Sequence, residues 1–293
     1  MLNLLIHKYK GEACLLIATI LAAVGWVSSK IVLLEMPGSM FIGGRFILAS
    51  ALLLPFCYQK ILDASPIDII KTLAVGCVFS TSIHIWVYAV SITNRLTEGA
   101  FIMALAMIIA PLTSWLLFRT RPNQAFWYSL PLAGLGMALL TLTNGWEVEK
   151  SQLGFFFASC FLSIHFVLNK RLSLSSPIKP LTSICLQMFV VGLTGFFLCS
   201  VQNSTLSNLS SETLIWFIIA SLIATALRYL IQTVGQYSVN IEIAALIMIL
   251  EPIWTLVLSI TMLKQHIEIE KLLGCLLILV SLILYMRLSN QKL

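Results

Sequence analysis

The sequence predicts an all-α integral membrane protein of ten transmembrane helices, arranged as two inverted five-helix repeats with both termini cytoplasmic. Three observations predict it: an excess of apolar residues, ten long apolar runs, and a weak internal repeat. Hydrophobic residues make up 59% of the 293 positions and charged residues only 10%, whereas a soluble domain carries about a quarter charged residues. The mean hydropathy is +0.97. The chain therefore lacks the polar material to wet a globular surface and needs a lipid bilayer as its solvent.

The net charge of +6 does not point to nucleic acid, because the basic residues sit in short connections and form no run or aromatic-basic ladder. All seven cysteines (Cys14, Cys57, Cys77, Cys160, Cys185, Cys199 and Cys275) lie within or at the ends of apolar stretches. None has CxxC or Cys/His spacing, which favours packing over a disulfide framework or a metal site. No cofactor is expected. At the N-terminus, His7, Lys8 and Lys10 precede an apolar run that reads on through Leu34. That is longer than the roughly 7–15 residue core of a secretory signal, so it is read as the first spanning helix, retained in the mature protein.

A helix needs about 20 apolar residues to cross the hydrocarbon. Ten segments approach or reach that length: 12–34, 39–58, 69–91, 97–118, 124–143, 152–170, 179–200, 212–236, 241–263 and 270–288. The breaks between them are polar or turn-forming, as at Met36-Pro37-Gly38-Ser39 and Thr143-Asn144-Gly145-Trp146-Glu147. Runs this continuously apolar do not alternate as barrel strands must. With the N-terminus inside, Lys8, Lys10, Lys60, Lys71, Arg119, Arg121, Lys170, Arg171, Lys179, Arg287 and Lys292 fall in inner connections. Only Arg95, Lys150, Lys264 and Lys271 fall in outer ones, which orients the chain by the excess of positive charge inside. The inner connection at Val239-Asn240 is an exception, with no basic residue. The longest loop, around Val201 to Ser211, is too short to fold alone, so function resides within the membrane.

The second half slides onto the first. Trp26-Val27-Ser28-Ser29-Lys30 lies over Phe166-Val167-Leu168-Asn169-Lys170, and Arg45-Phe46 over Gln187-Met188. Thr81-Ser82-Ile83-His84 lies over Thr225-Ala226-Leu227-Arg228, Glu98-Gly99-Ala100 over Glu242-Ile243-Ala244, and Pro111 near Pro252. The repeats are set at 1–147 and 148–293. Five helices per half is an odd number, so the halves enter the membrane in opposite senses. Such repeats place a substrate site near the midplane and give two related conformations open to opposite sides.

Several of these residues carry a family resemblance: Gly25-Trp26 with Lys30, Arg45-Phe46, and Gly99-Ala100-Phe101 through Pro111 to Arg119-Thr120-Arg121-Pro122. The stretch from Gln232-Thr233-Val234-Gly235-Gln236 through Ala244-Ala245-Leu246 to Glu251-Pro252 is the most specific, with Leu272-Leu273-Gly274 beyond it. Over nearly its whole length the chain resembles the EamA-type branch of the drug/metabolite transporter superfamily. The resemblance implies ten helices, a central cavity, and movement of amino acids, metabolites or drugs, commonly outward. Many members carry Gly-Glu after the ninth helix where this chain has Lys264-Gln265, and the tryptophan-glycine order typical of the first helix is reversed here.

Ionisable groups within spans cost several kcal/mol unless they face a cavity or a partner. Counting from helix ends at about 1.5 Å per residue puts Arg228 and Glu251 at similar depth, so they are expected to meet at a cavity wall, either as a permanent ion pair or as an exchangeable one. Arg45, His84, Tyr88, His165, Gln232 and Trp254 complete the candidate substrate-binding set. His84 is the positional counterpart of Arg228, while Tyr88 and Gln232 lie one turn beyond each. Lys30 and Glu98 near the outer boundary, with Lys170 and Glu242 near the inner one, are candidate paired gates; snorkelling explains each equally well. Trp26, Trp86 and Trp254 could stack on a substrate ring. Gly43-Gly44, Gly134 with Gly136, and Gly192 with Gly195 are read as close helix packing.

The expected function is secondary transport, by efflux or exchange, of a small-molecule substrate such as an amino acid or a related zwitterionic or anionic metabolite. Protons are a candidate coupling ion, and the expected location is the bacterial inner membrane. No Walker signature provides for ATP drive. A membrane-embedded enzyme would need convergent catalytic groups, yet the two aspartates, Asp63 and Asp68, lie in a loop. A channel would present a filter or pore ring, and none is legible.

Overall fold

The computed structural model describes residues 10–119, 121–122, 124–142, 149–203, 209–238, 247–248, 250–264 and 269–290. Among these residues the chain is helical, without strands. In order the helices are α1 (Lys10–Val32), α2 (Gly38–Leu62), α3 (Pro66–Ile92), α4 (Leu96–Ala104), α5 (Ala106–Phe118) and α6 (Gln124–Leu142). They continue with α7 (Lys150–Ser175), α8 (Pro180–Val201), α9 (Ser211–Ile218), α10 (Arg228–Ser238), α11 (Leu250–Leu263) and α12 (Ile269–Asn290). A π-helical stretch, Ile219–Leu227, joins α9 to α10.

The boundaries follow from local chemistry. Ser65 caps α3, its hydroxyl accepting the Asp68 amide at 3.2 Å, and Pro66 opens the helix where no donor is needed. Ser210 caps α9 in the same way through the Thr213 amide, at 3.2 Å. Pro180 opens α8. At α7 the Gln152 side chain reaches back to the Glu149 amide at 3.3 Å. Arg119, Asn203 and Lys264 end α5, α8 and α11 in the left-handed region, at φ 57°, 48° and 50°.

Six helices are long and apolar enough to cross a bilayer among the described residues, or seven if the pair α4 and α5, bent by 42°, is one span. Leu250–Leu263 and Leu272–Tyr285 are shorter apolar helices. Two spans differ from the uninterrupted helices expected. The segment 97–118 breaks at Leu105, within two turns of Pro111. The segment 212–236 passes through the π stretch, whose wider i→i+5 turns the hydropathy pattern cannot reveal. The Thr143–Glu147 break, the boundary at 147/148, the Val239-Asn240 connection and Glu242 lie outside the described residues.

Large apolar side chains on the periphery, among them Leu116 at 82% and Phe197 at 67% exposure, would be untenable in water on this scale and suit lipid. Inside, α2 packs against α8, α6 against α12, α3 against α7, α1 against the π stretch and α10, α4 and α5 against α7, and α11 against α1. Exchanging the two halves maps this set of pairings onto itself. The α2–α8 crossing is tight because it is made of glycine: a Cβ on Gly195 would stand 2.5 Å from the Gly43 nitrogen, and one on Gly192 2.6 Å from Ile47. Gly136 lets α6 approach α12 similarly, with Ile278 at 2.7 Å. Gly134 departs from the packing expectation, since its Cβ position has nothing within 4 Å.

Candidate functional site

A cavity of about 1050 Å³ lies within the bundle, lined by residues of both halves. Its mouth is basic, formed by Arg121 after α5 and by Lys170 and Arg171 in the last turns of α7; the Arg171 guanidinium lies 5.0 Å from the Phe118 ring centre. At the opposite end Trp26 of α1 and Trp86 of α3 meet edge to face, with ring centres 5.1 Å apart, and Phe155 of α7 packs 5.7 Å from Trp26. All three rings are buried. Trp26 and Trp86 line the cavity and form its floor on the side away from the basic loops, with Phe155 packed on Trp26.

Glu251 and Arg228 meet on the cavity wall, as their depth predicted. Arg228 Nη2 donates to Glu251 Oε2 at 3.2 Å, and the Trp26 indole N–H donates to Glu251 Oε1 at 3.1 Å. One carboxylate thus joins α10 and α11 to the aromatic floor. The Arg228 guanidinium also lies 4.8 Å from the Tyr229 ring centre. Arg228 Nε and Gln232 Oε1, both on cavity-lining residues, are buried without hydrogen-bond partners.

Arg45 forms a second node. It lines the cavity at 5% exposure, between the Phe41 and Phe46 rings. Its Nη1 donates to Ser29 Oγ at 2.8 Å and its Nε to Thr225 Oγ1 in the π stretch. Thr225 in turn donates to the Ala220 carbonyl at 2.8 Å, an i→i+5 contact that the π geometry permits. Gly25 makes the room: a Cβ there would stand 3.2 Å from Arg45 Nη2 and 3.1 Å from Ala224 Cβ.

The counterpart node in the other half has glutamine in place of arginine. Gln187, which the repeat sets over Arg45, donates to Asn169 Oδ1 at 3.0 Å, just as Arg45 donates to Ser29 over which Asn169 lies. His165 takes the place of Gly25. Gln187 also donates to Ser183 Oγ at 2.8 Å, so its Oε1 is left to accept from His165 Nε2, at 2.8 Å. The His165 ring stacks on Phe79 with centres 4.5 Å apart, and its Nδ1 is buried without a partner.

Three expected site residues stand away from the cavity. His84 turns towards α8, with Nε2 3.2 Å from Thr194 Oγ1. Tyr88, one turn further along α3, is 57% exposed on the outer surface. Trp254 is not among the lining residues, and its buried indole nitrogen has no partner. Shared helix spacing places residues on one face but does not say which neighbour that face meets.

The four gate candidates separate. Lys30 Nζ donates to the carbonyls of Val90 at 3.2 Å, Ser91 at 3.4 Å and Thr93, capping the end of α3. Glu98 is buried and accepts from Arg95 Nη1 at 3.2 Å and Gln152 Nε2 at 2.9 Å, tying α4 to α7. Lys170 stands at the cavity mouth. Glu242 lies outside the described residues. Sequence reasoning missed Ser29 and Thr225 as partners of Arg45, although both lay in the aligned repeat segments.

The model of the EamA-like transporter family matches residues 9–142 and again residues 150–287. No curated protein matches the sequence. Among solved structures, one titled only "Crystal structure of protein" superposes with a TM-score of 0.64 at 12% identity, covering 95% of this chain and 99% of that one. At that identity the likeness speaks to the fold alone. Two successive matches to one family model, spanning almost the whole chain, establish that the protein belongs to the EamA-like transporter family, a membrane transporter of small solutes.

Proposed function

We propose that the protein is a secondary transporter that moves a small organic metabolite, such as an amino acid or a related zwitterionic or anionic solute, by alternating access, in efflux or exchange. One observation carries this reading: the cavity is lined by both halves, with exposed basic residues at one end and the buried rings of Trp26 and Trp86 at the other. In this reading the mouth faces the cytoplasm of a bacterial inner membrane, because the loops carrying Arg119, Arg121, Lys170, Arg171 and Lys179 belong inside. Ten spans as two inverted five-helix repeats, divided at 147/148 with both termini inside, complete the arrangement. Glu251 couples the two ends, since it bonds both Trp26 of the floor and Arg228 of the wall. A proton is the candidate coupling ion, with Glu251 as its candidate coupler.

The test is counterflow in proteoliposomes loaded with a metabolite mixture. A transporter accelerates uptake of labelled solute when the same solute waits on the far side. Uptake that saturates for no solute, or that shows no acceleration from the far side, would refute the proposal.

A further inference from the structure

Arg45 and Arg228 both line the cavity, but their charges are not equally available. Arg228 is neutralised by Glu251 at 3.2 Å. Arg45 has no carboxylate partner among the described residues; its two bonded nitrogens meet hydroxyls, and Nη2 lies over Gly25 without a hydrogen bond. A guanidinium held at 5% exposure has lost most of its hydration, and hydroxyl dipoles and ring faces replace only part of it. Such a group is completed by an anion. Both hydrogens of Nη2 and the second hydrogen of Nη1 remain for a carboxylate, which guanidinium binds through charge-assisted hydrogen bonds.

The rest of the cavity agrees in sign. Arg121, Lys170 and Arg171 stand at the mouth, and Arg45 and Arg228 lie within, against Glu251 as the one carboxylate among the described lining residues. The charge of Glu251 is already balanced by Arg228, and each of its oxygens already accepts one hydrogen bond, so a substrate ammonium gains little there. The counterpart node at Gln187, His165 and Asn169 carries no fixed charge, so a second anionic group would find no equivalent site there. Aromatic rings, among them Phe46, Phe79 and Trp86, supply an apolar remainder.

We infer that Arg45 is the anion subsite of the transport cavity, and that the substrate is an organic monoanion whose carboxylate binds Arg45, in preference to a zwitterion or cation. The inference rests on the transport reading in using the same cavity. Ser29 and Thr225 are positioning residues: they hold the guanidinium plane, and Thr225 does so from the π stretch.

The experiment measures binding of four probes with one skeleton to the purified full-length protein by titration calorimetry: 3-phenylpropionate, phenylalanine, 3-phenylpropionamide and 3-phenylpropylamine. The carboxylate should bind about tenfold to a hundredfold more tightly than the amide, as a charge-assisted contact requires, with phenylalanine between them and the amine weakest. Arg45→Gln should erase the difference while leaving the amide unchanged; Arg45→Lys should retain part of it. Should Arg45→Gln not fold, Ser29→Ala with Thr225→Ala keeps the cation but frees its orientation, and should cut the preference several-fold. Carboxylate binding no tighter than amide binding, including no binding of either, overturns the inference, as does a folded Arg45→Gln or a double variant with the full preference. Counterflow of 3-phenylpropionate separates the two readings. Charge-selective binding without counterflow supports the anion subsite and counts against transport, whereas counterflow of the amide at an equal rate and affinity counts against the subsite alone.

Discussion

Glu251 holds Arg228 and Trp26 at once, through separate oxygens, so it is the residue at which a single charge change has most reach. The pair is only about one-fifth exposed, 18% for Arg228 and 22% for Glu251. Glu251→Gln keeps the shape but leaves Arg228 without its counter-charge. It should lower the thermal unfolding midpoint in detergent by the equivalent of about 1–3 kcal/mol, less than the roughly 3–5 kcal/mol of a fully buried pair because the cavity admits water. Arg228→Gln should cost a similar amount, and the double variant clearly less than the two losses together. Additive losses would mean that the two side chains do not interact. The pair was legible in the sequence because intramembrane charge is expensive and helix ends fix depth. Arg45's partners were not, since Ser29 and Thr225 carry no hydropathy signal and are recognised only once α1, α2 and the π stretch are brought together.

Outside the membrane, Glu35 between α1 and α2 accepts the Ser210 amide at 2.8 Å, at the N-terminus of α9. That backbone hydrogen bond, with the Thr213 and Ser210 hydroxyls, holds its carboxyl below the usual range. A carboxyl depressed in the folded state stabilises above its unfolded value, and the contribution disappears as pH falls through the folded one. The unfolding midpoint of the native protein should therefore fall more steeply than that of Glu35→Gln as pH is lowered from about 5 to about 3. Parallel curves would remove Glu35 from the account.

Among the elements, α2 and α8 depend most on the absence of side chains. Because a Cβ on Gly195 would meet backbone of Gly43 at 2.5 Å, no flexible group can yield. Gly195→Ala should destabilise by about 1–3 kcal/mol, read as a lower unfolding midpoint, whereas Gly134→Ala should be close to neutral. Sequence reasoning paired Gly134 with Gly136 by spacing alone, yet only Gly136 faces α12. The ends of α5 and α11 carry a different strain. Arg119 and Lys264 take φ 57° and 50°, a region where a side chain costs about 1–2 kcal/mol. Glycine adopts this conformation without that cost. Lys264→Gly should raise the unfolding midpoint, and an unchanged or lowered midpoint would show that the lysine side chain contributes more than the turn costs. The helices themselves were readable from apolar length. The bend at Leu105 and the π stretch were not, because both alter hydrogen-bond register while leaving composition untouched.

At the scale of the whole molecule, the halves share one pattern of helix pairing but differ in what they place at equivalent nodes: Arg45 over Gly25 in one, Gln187 against His165 in the other. The internal repeat was visible through this same alignment, and the charge difference between the nodes gives the cavity a polarity that symmetry alone would not. Access is the property on which the functional account depends. Leu162 lines the cavity outside the polar nodes, so Leu162→Cys in a background lacking the native cysteines reports which side reaches it. Membrane vesicles of each orientation would be treated with a membrane-impermeant thiol reagent. Labelling is expected from the side of the Arg121 and Lys170 loops in the resting protein, with reactivity shifting to the other side during turnover. Labelling from both sides at once, or from neither, would contradict alternating access.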